Sequence, residues 1–271
     1  MPLVGAPWHP VVVSSADPMT RFSPLTRRWF TGTFAEPTQA QARAWSAIAD
    51  GDNTLVIAPT GSGKTLAAFL WAIDQLAHEP EKRGTRVLYV SPLKALAVDV
   101  ERNLRTPLTG ITRIAERDGV PAPQISVGVR SGDTPPARRR ELISKPPDIL
   151  ITTPESLFLM LTSAARETLT DIQTVIVDEV HAVSGTKRGA HLAVSLERLD
   201  ALLKTPAQRI GLSATVRPPE EVARFLSGAR PTTIVAPPLA KTFELTVQVP
   251  VPDMANPVSY THLTLPTNRE V

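Results

Sequence analysis

From Asn53 onward, short β-branched runs alternate with amphipathic stretches. Runs such as TLVIAP and TVIVDE are apolar at successive positions and do not alternate. Strands read this way when helices cover both faces of a parallel sheet. The runs of this character are Thr54–Ala58, Arg86–Ser91, Gln124–Val129, Asp148–Thr152, Thr174–Asp178, Arg209–Ser213 and Thr232–Ala236. Between them lie predicted helices at Lys64–Ala77, Ala95–Leu104, Pro136–Ile143, Glu155–Thr162, Gly189–Leu203 and Pro219–Ser227. The order predicts β-α-β units wound into an α/β fold, a mostly parallel sheet with helices on both faces. Ligands in such sheets sit at the carboxyl ends of strands, so the residues just after each strand are the ones to read. Residues 1–36 are expected to form an irregular extension and Pro37–Ala49 a helix entering the first strand. After Ala236 the chain reads as a loop and one exposed strand.

Composition narrows the chemistry. With 271 residues and 42 % hydrophobic positions, the chain can bury a sizeable core. The lack of cysteine excludes disulfides, thiolate-bound metals and thiol catalysis. A net charge of +3 tolerates a polyanionic partner without demanding one. The 27 prolines, about twice the usual share, punctuate loops between apolar runs. No apolar stretch approaches the ~18–20 residues of a membrane span. No Lys or Arg precedes Arg21, the wrong charge order for a secretory signal, so no membrane partner and a cytoplasmic location are expected. The basic run Arg138–Arg140 is expected to be a solvated helix face. Aromatic residues, at 5 %, are too few for base-stacking platforms, and Trp45 and Trp71 are expected in the core.

The sharpest signal is APTGSGKT, comprising Ala58, Pro59, Thr60, Gly61, Ser62, Gly63, Lys64 and Thr65, between a strand and a helix. Small residues there let backbone N–H groups wrap phosphate oxygens at a helix N-terminus. Lys64 would supply charge to the β- and γ-phosphates and Thr65 a hydroxyl to Mg²⁺, so the chain is expected to bind a nucleoside triphosphate. Ala58 stands where the general pattern has glycine. The second signal is DEVH, which ends the run TVIVDEVH. Asp178, at a strand's carboxyl end, would hold Mg²⁺, and Glu179 would polarise the attacking water. His181 either relays nucleotide state to neighbouring motifs or is a satisfied core histidine. In SAT, one β-α unit later, the hydroxyls of Ser213 and Thr215 are placed to hydrogen-bond the acidic motif.

The ordered set PTQAQ, APTGSGKT, SPLKALAVD, RSGDT, TTPES, DEVH and SAT resembles the first RecA-like domain of a superfamily 2 DEAD/DEAH-box helicase. The longer stretches DEVHAVSGTKRGAHLAVSLERLD and RIGLSATVRPPEEVARFLSG resemble the large helicase-related (Lhr) group of bacterial DNA helicases. The resemblance covers residues 22–257. It implies that Gln41 reads the adenine edge and selects ATP; Trp29 and Phe30 lie just ahead of this motif, which places one of them to lean on the ring. It implies that Pro92, Lys94, Arg130, Thr134 and Thr153 line a single-strand track. For Thr134 and Thr153, turn-making or helix-capping is the competing role. It further implies ATP-driven translocation on single-stranded DNA with unwinding of DNA-containing duplexes, RNA:DNA hybrids among them. The polarity would be 3′-to-5′ and the context DNA repair. The same motifs would serve an RNA helicase, or a stand-alone nucleotide-gated binding module.

Residues 37–236 are thus expected to form one RecA-like ATP-binding domain, and 237–257 the start of a connection toward a second such domain. One back-translation of VSYTHLTLPT resembles the end of a transposase library adapter. Residues 258–271 are therefore expected to be a non-native tail on a truncated reading frame, and the fragment a slow ATPase when alone.

Overall fold

The computed structural model describes residues 17–78 and 84–238. Seven strands form one sheet: β1 (Asn53–Ile57), β2 (Val87–Val90), β3 (Val127–Arg130), β4 (Ile149–Thr152), β5 (Thr174–Val177), β6 (Gln208–Ser213) and β7 (Thr232–Val235). Their order is β3-β4-β2-β5-β6-β1-β7, and every neighbouring pair is parallel. The register aligns Ile57 with Ser213, Val90 with both Val177 and Thr152, and Thr152 with Arg130. The carboxyl ends therefore meet on one edge, and the motif-bearing loops that follow strands leave from it; PTQAQ precedes β1, at the start of the helix Gln39–Ala49.

The unbroken apolar runs are explained by helices on both faces. Successive strand residues face opposite sides: Val56 and Tyr89 join one core cluster, whereas Leu55, Leu88 and Val90 join the other. The first cluster is built with α1 (Pro24–Thr33), α2 (Gln39–Ala49), α3 (Lys64–His78) and α4 (Lys94–Arg117). After α5 (Pro136–Ser144), the second is built with α6 (Pro154–Leu161), α7 (Val180–Val183), α8 (Lys187–Asp200) and α9 (Pro219–Ser227). No helix among the described residues is long and apolar enough to cross a membrane.

The structure corrects two expectations. Residues 17–36 are not irregular: a 3-10 turn at Pro18–Arg21 is followed by α1, whose N-cap Ser23 accepts a hydrogen bond from Thr26 N–H. This segment buries Met19, Phe22, Trp29 and Phe30, enough apolar surface to order it. The predicted helix Ala95–Leu104 runs on to Arg117, through Pro107. A helix-interior proline costs about 3 kcal/mol. The buried stripe Leu104, Ile111 and Ala115 on one face offsets it, at roughly 1.5–3 kcal/mol for each large side chain. The strand expected after Ala236 and the tail at 258–271 lie outside the described residues.

Candidate functional site

The turn between β1 and α3 holds the phosphate-loop motif. Gly61 and Gly63 have φ of +80° and +77°, a left-handed backbone that glycine adopts without strain. Lys64, the first residue of α3, is almost buried. Its ammonium donates to the Ala58 and Pro59 carbonyls. Burial holds its pKa below the ordinary lysine value, while the charges of Glu179 and Asp178 pull it back up.

Gln41 sits against this loop. It closes a capping box at the start of α2: Thr38 N–H donates to Gln41 Oε1 (2.9 Å) and Gln41 N–H to Thr38 Oγ1 (3.2 Å). Gln41 Nε2 then donates to the Gly63 carbonyl (3.3 Å), and Thr38 Oγ1 to that of Ser62 (3.1 Å). The motif is thereby fastened to the phosphate loop, with Nε2 keeping a second N–H and Oε1 a second lone pair.

Across the sheet, Asp178 follows β5 and is 8 % exposed. Its Oδ1 accepts Glu179 N–H (2.9 Å) and its Oδ2 accepts the hydroxyl of Tyr89 from β2. Glu179 has φ 44°, the one non-glycine residue with positive φ among the described residues. A side chain held there is strained, and such strain concentrates where a group must be aimed. Ala214 N–H donates to His181 Nδ1 (3.2 Å), which fixes that nitrogen as an acceptor and places the proton on Nε2. Ser213 Oγ lies 3.3 Å from the same nitrogen, and Glu179 Oε2 lies 3.4 Å from it. The histidine thus joins the acidic motif to SAT through Ser213 and Ala214. Thr215 does not take part; it is exposed and makes no hydrogen bond with Asp178 or His181.

One cavity of about 590 Å³ collects these groups: Pro59, Gly61, Lys64 and Thr65 on one side, Asp178 and Glu179 on another. Its apolar wall is formed by Trp29, Phe34 and Phe69 with Leu104 and Pro107 of α4. Of the two aromatic residues proposed beside adenine, Trp29 borders the cavity, whereas Phe30 is 1 % exposed in the core. Phe34, 41 % exposed and unremarked in the sequence, is the accessible ring. Trp45 is fully buried and donates from Nε1 to the Ala67 carbonyl (3.0 Å), while Trp71 is half-buried against Phe22.

The proposed track residues leave three adjacent strands, β3, β4 and β2. Lys94 is exposed and paired with Asp133 at 2.9 Å. Arg130 makes no ion pair among the described residues, and burial and the charge of Arg139 lower its pKa. The two threonines are engaged locally. Thr134 Oγ1 accepts Ser131 N–H (2.9 Å), closing the turn after β3. Thr153, 2 % exposed, is the N-cap of α6 and accepts Ser156 N–H (3.4 Å). Pro92 is buried. Within the basic run, Arg138 pairs with Glu141 and Arg139 donates to the Gly132 carbonyl (2.7 Å).

Comparison with known proteins agrees with this geometry. The chain is 79 % identical over 249 residues to the Lhr helicase/probable uracil glycosylase of Mycolicibacterium smegmatis, covering 91 % of this chain and 16 % of that protein. It is 58 % identical over 241 residues to the Lhr helicase/uracil glycosylase of Escherichia coli, covering 86 % of this chain and again 16 % of the relative. The chain therefore spans about a sixth of the length of these relatives. The structure of Mycobacterium smegmatis helicase Lhr bound to ssDNA and AMP-PNP superposes with a TM-score of 0.83 at 81 % identity, covering 89 % of this chain and 31 % of that one. The parallel sheet with helices on both faces is accordingly the RecA-like helicase core. Residues 38–224 match the DEAD/DEAH box helicase family, and the chain belongs to it.

Proposed function

We propose that this chain is the ATP-binding motor domain of an Lhr-type DNA helicase, using ATP hydrolysis to translocate on single-stranded DNA and unwind duplexes. The polarity is 3′-to-5′ and the setting DNA repair, as the resemblance implies. The observation that carries the reading is the meeting of Lys64, Thr65, Asp178 and Glu179 on one cavity. No three His, Cys, Asp or Glu side chains cluster as a ready-made metal site among the described residues. Thr65 and Asp178 offer hard oxygens beside the phosphate loop, a donor set that fits Mg²⁺ shared with phosphates and water. When bound, Mg²⁺ supplies positive charge to the phosphates.

The remaining roles fall to the chain. The backbone N–H groups from Gly61 to Thr65 cradle phosphate oxygens at the N-terminus of α3. Lys64 exchanges its loop carbonyls for the β- and γ-phosphates. Glu179 accepts the proton of the attacking water as the new P–O bond forms and the bond to the departing ADP oxygen breaks. Gln41 presents one N–H and one lone pair to the adenine edge. His181 and Ser213 link this cavity to the next loop. Lys94 and Arg130 supply phosphate contacts that hold a strand without reading its sequence. A second RecA-like domain is the expected partner, since an arginine supplied to the γ-phosphate is worth about 10³–10⁵ in turnover.

The test is ATP hydrolysis by the chain and by a longer form carrying a second RecA-like domain, each with and without single-stranded DNA. Lys64→Ala should remove nucleotide binding, and Glu179→Gln should keep binding but lose turnover. Unchanged binding in the first would refute the phosphate-loop assignment. A strong preference for RNA over a matched DNA strand would overturn the DNA reading, because only RNA offers the 2′-OH.

A further inference from the structure

We infer that Tyr89 is a positioning residue for the metal-holding carboxylate, an inference that rests on the role proposed above for Asp178. Tyr89 is fully buried, in the middle of a strand whose other residues, Val87, Leu88 and Val90, are aliphatic. Among the described residues its hydroxyl makes one hydrogen bond, to Asp178 Oδ2. The ring is clamped by Phe69 of α3, stacked at 5.0 Å between centroids and 25° between planes. Phe69 itself borders the cavity. The phenol is thus held in place by packing, away from bulk solvent. Asp178 Oδ1 is held by Glu179 N–H, so the Tyr89 bond is what fixes the second oxygen and with it the carboxylate plane.

The phenol O–H is a donor in its ordinary neutral form, and the geometry points it at Asp178 Oδ2. A donor to one lone pair of each oxygen leaves the remaining lone pairs at set angles for a cation. Partners that orient a ligand in this way are worth about 10–100-fold in metal affinity or activity. The register makes the contact: Val90 lies beside Val177, so Tyr89 on β2 comes within reach of the residue that follows β5.

The experiment is a titration of a fluorescent, non-hydrolysable ATP analogue against the full chain, with Mg²⁺ and with EDTA. Tyr89→Phe keeps the ring and its stack and removes the hydroxyl alone. It should leave metal-free nucleotide affinity within about twofold while weakening apparent Mg²⁺ affinity about tenfold. Asp178→Asn serves as comparator. If Asp178→Asn loses the Mg²⁺ effect and Tyr89→Phe does not, the positioning role is refuted and the metal role of Asp178 stands. If neither variant changes the titration, both fall. A second readout does not depend on Tyr89→Phe folding. The chain has 2 tyrosines, so Tyr260→Phe leaves Tyr89 as the one ring to carry a ¹³Cζ label. Its resonance should move when Mg²⁺ and the analogue bind, and stay still in Asp178→Asn. A Tyr89 signal that ignores Mg²⁺ in the Asp178-intact protein would overturn the proposal.

Discussion

Gly61 and Gly63 carry nearly the same positive φ and different surroundings, so alanine at each separates two costs. A Cβ at Gly61 meets nothing within 4 Å, and the substitution costs only the left-handed backbone. That is about 1–2 kcal/mol for a non-glycine residue. A Cβ at Gly63 meets the same strain and also collides with Gln41 Nε2, with Gln41 Cδ only 3.1 Å away. Gln41 must then swing out. It gives up its bond to the Gly63 carbonyl, worth about 1 kcal/mol, and the capping box with Thr38, worth about another 1 kcal/mol.

Gly63→Ala should therefore destabilise by about 2 kcal/mol more than Gly61→Ala, which for a domain of this size is about 4–8 °C in melting temperature. The assay is paired thermal melts of the two variants, repeated in a Gln41→Ala background. There the clash is absent, and the gap between the glycine variants should shrink toward zero. Discrimination between ATP and GTP should fall in Gly63→Ala as it does in Gln41→Ala. Equal melting losses at the two glycines, or full additivity of Gly63→Ala with Gln41→Ala, would refute the claim that Gln41 is fastened to the phosphate loop.

Glu179→Gly should abolish turnover yet raise the melting temperature, because glycine releases a strained φ of 44°, worth about 1 kcal/mol; a lower melting temperature would show that no strain is stored there. His181→Ala leaves Ala214 N–H without its acceptor, which should cost about 1–3 kcal/mol. In a form with both RecA-like domains it should also reduce DNA stimulation of ATP hydrolysis more than the basal rate, and an equal loss of both would argue against a relay. Lys64 binds its proton less tightly in the folded chain than in the unfolded one, so its burial penalty is present at neutral pH and is relieved as pH rises toward the ordinary value of 10.5. Relative to Lys64→Met, the parent chain should gain stability across that alkaline window, and parallel denaturation profiles for the two would contradict the burial argument.

What the sequence made legible was chemistry written within one strand–turn–helix unit. The two phosphate-loop glycines, Lys64 at the head of α3 and Asp178 at the end of β5 each follow from neighbours a few residues away. The segment ahead of Gln41 was harder. Trp29 and Phe30 were visible as aromatics, but which of them faces the cavity depends on how α1 lies against α4, and Phe34 gained its place only from that packing. For Thr134 and Thr153 the resemblance implies a strand contact and the local sequence a turn or cap, and in space each hydroxyl accepts a backbone N–H within its own turn or cap. Glu179 gave no signal of its left-handed backbone, since side chains of its type are seldom held there. The helix predicted at Ala95–Leu104 continues as α4 through Pro107 to Arg117, because the buried stripe beyond Leu104 decides its length.

The register of β2 against β5 is the fact that sequence could least supply and on which the site most depends. Side chains on a strand alternate, so Leu88 and Val90 are committed to one core and Tyr89 to the other. A slip of one residue would turn Tyr89 away from Asp178 and put an aliphatic side chain beside a buried carboxylate. The same slip would shift Pro92 and Lys94 relative to Thr153 and Arg130, because β2 also sets its register with β4, and β4 with β3. One strand thus holds both the donor to the carboxylate proposed to hold the metal and the first loop of the proposed single-strand track. A change in the ATP cavity that displaces β2 must move that loop as well, since a close-packed strand shifts as a unit and has no slack between its middle and its end.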